Sequence, residues 1–346
     1  MPLSNRQIDL SAREARLDSR RMFALAAFTT ATAMRAWDNN AIDSPQMERS
    51  LAFAQLASAT IALDAMNKTA KIQQWSGWAD QLKPNPTGFA GSTAAGFSIA
   101  ALLRSYRGNY RNRLSSGTDP AAAAQQVRGM IKRDVSNEVQ QSYYNAHMAG
   151  HWSGESPRQY VYVLRGASNC SRCILLAGRR YRNIAWRRHP GCDCGFMHVS
   201  ELPKGDDWTP PKEISPRKYW DSLDDAAKVK SAGSVANAKL IDSAEGTTDF
   251  NRKINSTLPK IPRSGRPGSP LKTDDGSGPG GLYALDLAPN SVTGTGGRDS
   301  LKKTVMVDAD NKGDAVNLMQ ERGFVTESPT VDMPTRAQID GGSRAL

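Results

Sequence analysis

Cys170 and Cys173 form a C-x2-C pair, Cys192 and Cys194 form C-x-C, and His189 stands three residues before the second pair. These are the only cysteines in the chain and they share one short segment. Thiolate and imidazole suit zinc, and a C-x2-C loop turns two sulfurs toward one ion. Pro190-Gly191 supplies the turn that brings the second group back. In an extended stretch, residues two apart point to the same side, so Cys192 and Cys194 can both face the metal. Five donors compete for four tetrahedral places, and the sequence leaves open which four bind. The expected cofactor is a structural zinc ion. Buried reduced cysteines are the bland alternative, and a disulfide or a redox C-x2-C would need a context that this segment lacks.

Positive charge crowds the same place. Arg158, Arg165, Arg172, Arg179, Arg180, Arg182, Arg187 and Arg188 surround the thiols, and no acid intervenes between Cys170 and Asp193. Arginine grips phosphate through a planar fork, which makes Arg172, Arg179, Arg180, Arg182, Arg187 and Arg188 candidate nucleic-acid contacts, with Tyr181 and Trp186 available for stacking. The competing reading is a solvated or protein-facing basic surface that offsets thiolate charge.

The elements around this module read as helical. Ser11 with Glu14 has the form of a capping box, opening a helix to about Trp37. Ser44 and Pro45 start a second helix toward Lys71, with Met47, Leu51, Ala54, Ile61 and Ala65 at helical spacing. A Pro- and Gly-bearing connector leads to a shorter helix with a basic end, "FSIAALLRSYRGNYRNRL". Asp119 and Pro120 then open a long helix carrying Val127, Ile131, Val135, Val139 and Tyr143, with Gly150 as its expected stop. At "QYVYVL", residues 159–164, the period changes to two, and a strand is expected to run into the cysteines. Helix returns over "SPRKYWDSLDDAAKVKSAGSVANAKLI", with Ser222 and Asp225 as a capping pair.

The expected fold is therefore mainly α: an elongated helical bundle with a small zinc-stabilised, β-containing knuckle and a flexible C-terminal region. The segments are a helical domain at 1–155, the Cys/His module at 156–205, a helical segment at 206–258, a Pro/Gly/Ser-rich linker at 259–300, a closing helix within 301–334 and a tail at 335–346. The net charge of +11 and a pI near 9.6 favour a polyanionic partner. No run of about 18 apolar residues exists for a membrane span. The stretch from Met22 follows arginine-studded helix and is not expected to be a cleaved signal. Clustered cysteines without scattered pairs fit a reducing compartment.

"SNCSRCILLAGRRY" followed by "RHPGCDC" resembles the signature of phage head-morphogenesis proteins of the phage Mu F type. The likeness is closer to the MuF-like minor capsid proteins of actinobacteriophages, a group also called capsid maturation proteases. "SPRKYWDSLDDAAKVKSAGSVANAKL" is similar to that group's Y-[FW]-D-S-L helix, and "NKGDAVNLMQERGFV" to its closing helix. The likeness spans roughly 130–260 and 300–326, and departs from the group at "DSAEGTTDFNRKINS". It implies a low-copy virion component that is added in the host cytoplasm during procapsid assembly. Its implied partners are the portal, the major capsid or scaffold protein, and packaged DNA.

Catalytic chemistry finds little purchase. No G-x-S-x-G elbow is present, and the histidines are His147, His151, His189 and His198. His147 and His151 are four apart, but Met148 stands where H-E-x-x-H places its general base. A thiolate committed to zinc is unavailable as a nucleophile. The expectation is an assembly factor without catalysis, with capsid maturation protease as the alternative.

Overall fold

A computed structural model describes residues 2–93, 97–154, 159–164, 169–181, 195–200, 202, 210–258 and 312–329. The chain is mainly helical, as expected. It divides into two compact units. One comprises Arg21–Met66, Gly77–Glu155 and Pro279–Leu346; the other comprises Met1–Arg20, Asn67–Ser76 and Ser156–Gly278. Residues 1–20 and 67–76 thus group with the unit that contains Cys170 and Cys173. The expected linker at 259–300 and tail at 335–346 lie outside the described residues.

The first unit is built on four helices. The first two, α1 (Asn5–Asp38) and α2 (Pro45–Gln73), contribute to both units; α3 (Ile99–Ser115) and α4 (Pro120–Trp152) belong to this one alone. Helix α1 ends where Asn40 takes φ 58° and the Ala41 amide reaches back to the Ala36 carbonyl at 2.7 Å, a Schellman-type closure. The Ser44 hydroxyl accepts from the Met47 amide at 3.2 Å and Pro45 leads α2, as the sequence indicated. Ser98 and Asp119 cap α3 and α4 in the same way, accepting from Ala101 and Ala122. Ala26, Ala33, Met47, Leu51, Ile99, Leu103, Tyr106, Val127, Ile131, Val135 and Val139 form one buried cluster. Ile61, at helical spacing with Met47 and Leu51, is only half-buried.

Gly150 does not end α4, which continues to Trp152. A Cβ at this glycine would lie 2.4 Å from the Met66 methyl and 2.8 Å from Pro84, so the residue serves close packing inside the helix. Residue pair β1 (Lys83–Pro84) runs antiparallel to β5 (Val325–Thr326). The closing helix α10 (Lys312–Glu321) precedes β5, and Gly323 at φ 76° stops it, as read from sequence. The Asn85 side chain donates to the Gly323 carbonyl at 2.8 Å, and Phe89 meets Phe324 at 5.3 Å between ring centroids.

The second unit holds the start of α1, the end of α2 and the mixed segment beyond 156. The capping box of α1 is Ser4 with Gln7, which exchange bonds of 3.0 and 3.2 Å, so the helix begins earlier than Ser11. Ser11 is fully buried inside the helix, where its hydroxyl accepts from the Gln73 amide at 3.0 Å. Strand β2 (Gln159–Val163) pairs antiparallel with β3 (Arg180–Tyr181) on one side and β4 (Gly195–Val199) on the other. Val161, Val163, Met197 and Val199 pack with Leu3, Ile8, Ala12 and Ala15 of the N-terminal segment. Tyr160, Tyr162, Phe196 and His198 occupy the alternate positions and are buried as well.

The stretch after Ser215 is not one helix. It breaks into α6 (Pro216–Asp221), α7 (Asp225–Ala232) and α8 (Val235–Asp242), followed by α9 (Gly246–Ser256). The caps are Asp224, accepting from Ala227 at 2.7 Å, and Ser234, accepting from Asn237 at 3.1 Å. The expected Ser222–Asp225 pair is thus displaced by its neighbour Asp224, and Gly233 at φ 80° forces the second break. No helix among the described residues is long and apolar enough to cross a membrane.

Candidate metal centre

The thiols of Cys170 and Cys173 converge. Cys170 precedes a short helix, α5 (Ser171–Leu176), and Cys173 lies one turn along it. Their sulfurs are 3.4 Å apart, with Cys173 buried and Cys170 half-buried. Two thiolates at about 2.3 Å from a tetrahedral ion stand about 3.8 Å apart, so the observed separation is a few tenths of an ångström short of a zinc edge. It is well beyond a disulfide, whose sulfurs lie about 2.05 Å apart. The Tyr162 hydroxyl donates to the Cys173 sulfur at 3.3 Å. A hydroxyl that donates to this sulfur orients it and would lower the charge on a thiolate there.

Three anchors position this pair. Tyr219 of α6 accepts from the Asn169 amide at 2.9 Å and donates to the Asn169 side-chain oxygen at 2.7 Å, fixing the residue before Cys170. The Ser171 hydroxyl donates to the Ser231 carbonyl at 2.9 Å at the end of α7. Beyond α5, Gly178 takes φ 71° and returns the chain to β2, its amide donating to the Tyr162 carbonyl at 3.0 Å. A Cβ on Gly178 would stand 2.2 Å from the Ile214 carbonyl oxygen. Gly178→Ala combines a left-handed backbone with that clash, so the unit should lose about 2–4 kcal/mol in urea unfolding. An unchanged midpoint would sink this account of the turn.

Behind the anchors, α5 packs against α6 and α9. Trp220 is fully buried and donates to Asp242 at 2.8 Å, while Lys228 reaches the same carboxylate at 2.9 Å. Burial pushes the Asp242 carboxyl up, but hydrogen bonds from Lys228 and Trp220 outweigh it and leave the pKa lowered. On the other side, the end of α2 clasps β4. The Gln73 amide donates to the His198 carbonyl at 2.7 Å, and its oxygen accepts from the Trp75 indole and the Ser200 amide. Gly195 opens β4 against α1, where a Cβ would meet the Ser19 hydroxyl at 2.2 Å.

Of the five proposed metal donors, the structure brings Cys170 and Cys173 together; His189, Cys192 and Cys194 lie outside the described residues. Among the described residues, no group of three or more His, Cys, Asp or Glu side chains could hold a metal. The zinc reading thus rests on half of its donor set. That half fits: two soft donors share one space, with a hydroxyl directed at one of them. Of the arginines, Arg172 is half-buried and Arg179 and Arg180 are exposed, while Arg158, Arg165, Arg182, Arg187 and Arg188 lie outside the described residues.

Two positioning residues went unread in the sequence. Tyr162 carried a signal, being an alternate residue of the strand that leads into the cysteines. Tyr219 stood in a recognised stretch without an assigned role. His147 of α4 is buried against the Tyr143 ring at 4.5 Å between centroids, and burial holds its pKa down at about 3. No protein family, curated protein or solved structure matches this chain.

Proposed function

We propose that this chain is a minor head protein of a bacteriophage, acting in procapsid assembly beside the portal, with a zinc-stabilised knuckle carried by a helical body. The observation that carries the reading is the Cys170–Cys173 pair at 3.4 Å, followed in the chain by a return strand that begins immediately after Cys194. This is the layout that the resemblance to MuF-like proteins calls for. The described contacts also tie two of its motifs together, since Tyr219 of the Y-W-D-S-L stretch fixes Asn169 beside Cys170.

On this reading zinc is a structural cross-link, and the donors are Cys170 and Cys173 with two of His189, Cys192 and Cys194. The metal would add its binding energy to the folding of this module. The arginines about it would face the portal, the scaffold, the major capsid protein or packaged DNA. Capsid maturation protease remains the rival activity.

The decisive experiment assembles particles from the cognate portal, scaffold and major capsid proteins with and without this chain. This chain should be found in purified particles at low copy. The major capsid protein should have the same mass and termini in both preparations, with the particles lacking this chain fewer or defective in DNA delivery. Mature capsid termini that form only in its presence, and vanish when one of its histidines or serines is replaced, would make it the protease.

A further inference from the structure

A second cationic surface lies far in sequence from the cysteines, on α3. Helix α3 contains Arg104, Arg107, Arg111 and Arg113 and no acid. Its buried side is apolar, formed by Ile99, Leu103 and Tyr106. Arg104 and Arg111 are exposed and seven residues apart, which places them on one face about 10.5 Å apart along the axis. Neither makes an ion pair or side-chain hydrogen bond among the described residues.

Between them the face is small and polar. Gly108 has nothing within 4 Å of where a Cβ would stand, and Ser105, Asn109 and Asn112 flank it. The acids near this face are compensated or withdrawn. Asp43 is held by Arg107 at 2.8 Å, and that guanidinium keeps its carboxyl below the usual range. Asp134 is 6% exposed. Asp119 is occupied in capping α4.

We infer that the outer face of α3, centred on Arg104 and Arg111, binds the phosphate backbone of nucleic acid without reading its sequence. An acidic protein surface would be the other polyanion. Stable protein interfaces, however, draw their energy from aromatic and aliphatic anchors in a desolvated centre; here the exposed apolar residues, Phe97 and Leu114, stand at the two ends, and the centre between Arg104 and Arg111 holds Ser105, Gly108 and Asn109. Two exposed guanidinium groups that make no side-chain hydrogen bond among the described residues, Arg104 adding only a smaller electrostatic pull on Asp43 beside Arg107, instead let a sugar-phosphate backbone approach closely across a bare glycine. This site goes beyond the proposed head function and belongs to the other unit from Cys170 and Cys173.

The test measures binding of the full-length protein to two labelled duplexes of unrelated sequence over a series of salt concentrations. Arg104→Gln/Arg111→Gln should reduce the slope of log K against log salt by about 2, at roughly 0.9 for each phosphate no longer neutralised. Affinity should fall equally for both duplexes, while the circular dichroism spectrum and melting temperature stay as in the parent. Arg104→Lys/Arg111→Lys should keep most of the slope. An unchanged slope in the Gln variant overturns the assignment. So does a slope that Arg179→Gln/Arg180→Gln alone abolishes, or poly-glutamate bound as tightly as duplex through the same two arginines. Failure here leaves the capsid experiment standing, because that experiment does not depend on α3.

Discussion

Cys173→Ser should take the zinc content of freshly purified, reduced protein from about one ion per chain to near zero, and unfold the unit containing β2 and α5. Cys173 is buried, accepts from Tyr162 and sits 3.4 Å from Cys170. A serine hydroxyl at that place is a poor donor to zinc, and it leaves the C-x2-C half with one thiolate. Structural zinc is worth about 10–16 kcal/mol of apparent binding energy in zinc-finger peptides, so losing even part of it removes a large share of the stability of a typical domain. Cys170→Ser should behave alike. Substitution of Cys192, Cys194 or His189 should do less, because three candidates serve two places. Tyr162→Phe should retain the metal with an affinity about 10–100-fold lower, as for loss of an outer-shell bond. Elemental analysis and chelator titration read all of these. Parent protein without zinc, or Cys173→Ser with its full complement, would refute the metal centre.

Much of the helical scaffold was legible because its caps are local. Ser44-Pro45 and Asp119-Pro120 each place a good hydrogen-bond acceptor directly before a proline, which singles it out from neighbours such as Asp43 and Thr118. The start of α1 was misread because Ser4-x-x-Gln7 and Ser11-x-x-Glu14 have the same form. Tertiary context separates them: Ser11 is enclosed by Gln73, a partner 62 residues away, whereas Ser4 is exposed and closes its own turn. Gly150 reads locally as a stop, but it answers to Met66 and Pro84 across the core. The break-up of the segment after Ser215 was written in Asp224 and in Gly233-Ser234, and a long run of helix formers obscured it.

Long-range pairing was the least legible. Nothing in Lys83-Pro84 announces a partner at Val325-Thr326, because a two-residue pairing has no periodicity of its own. The membership of residues 1–20 in the cysteine-bearing unit follows from Leu3, Ile8, Ala12 and Ala15 covering one face of β2 and β4. A strand buried on both faces reads as a continuous apolar run, so its two neighbours cannot be told from its own residues. At the candidate metal centre the donor types were legible and their supports were not. A tyrosine becomes a positioning residue only when the fold brings its hydroxyl to a particular atom.

Acid should destabilise the unit built on α2, α3 and α4 well before its carboxylates titrate, and His147 is the cause. Burial lowers its pKa to about 3 in the folded protein, against an ordinary value of 6.5. Between those values the unfolded chain binds a proton that the folded chain refuses, so stability is complete above about pH 6.5 and falls as the pH drops toward 3. The slope approaches 1.4 kcal/mol per pH unit, or about 3 kcal/mol between pH 6.5 and 4. Asp134 acts in the opposite sense: burial raises its pKa despite Arg133, so its protonation favours the folded state as the pH falls through the carboxylate range. Asp43, lowered by Arg107, adds to the loss only below the ordinary carboxylate range. His147 and Asp134 therefore pull stability in opposite directions as the pH falls, and the histidine's share is read as the difference between the parent and a variant that lacks only its proton site. His147→Phe keeps a ring beside Tyr143 and removes the proton site. Urea unfolding at pH 7, 6 and 5, followed by tyrosine or tryptophan fluorescence, should show a falling midpoint in the parent and a nearly flat one in the variant. Parallel slopes in the two proteins would mean that His147 is not the group that acid attacks.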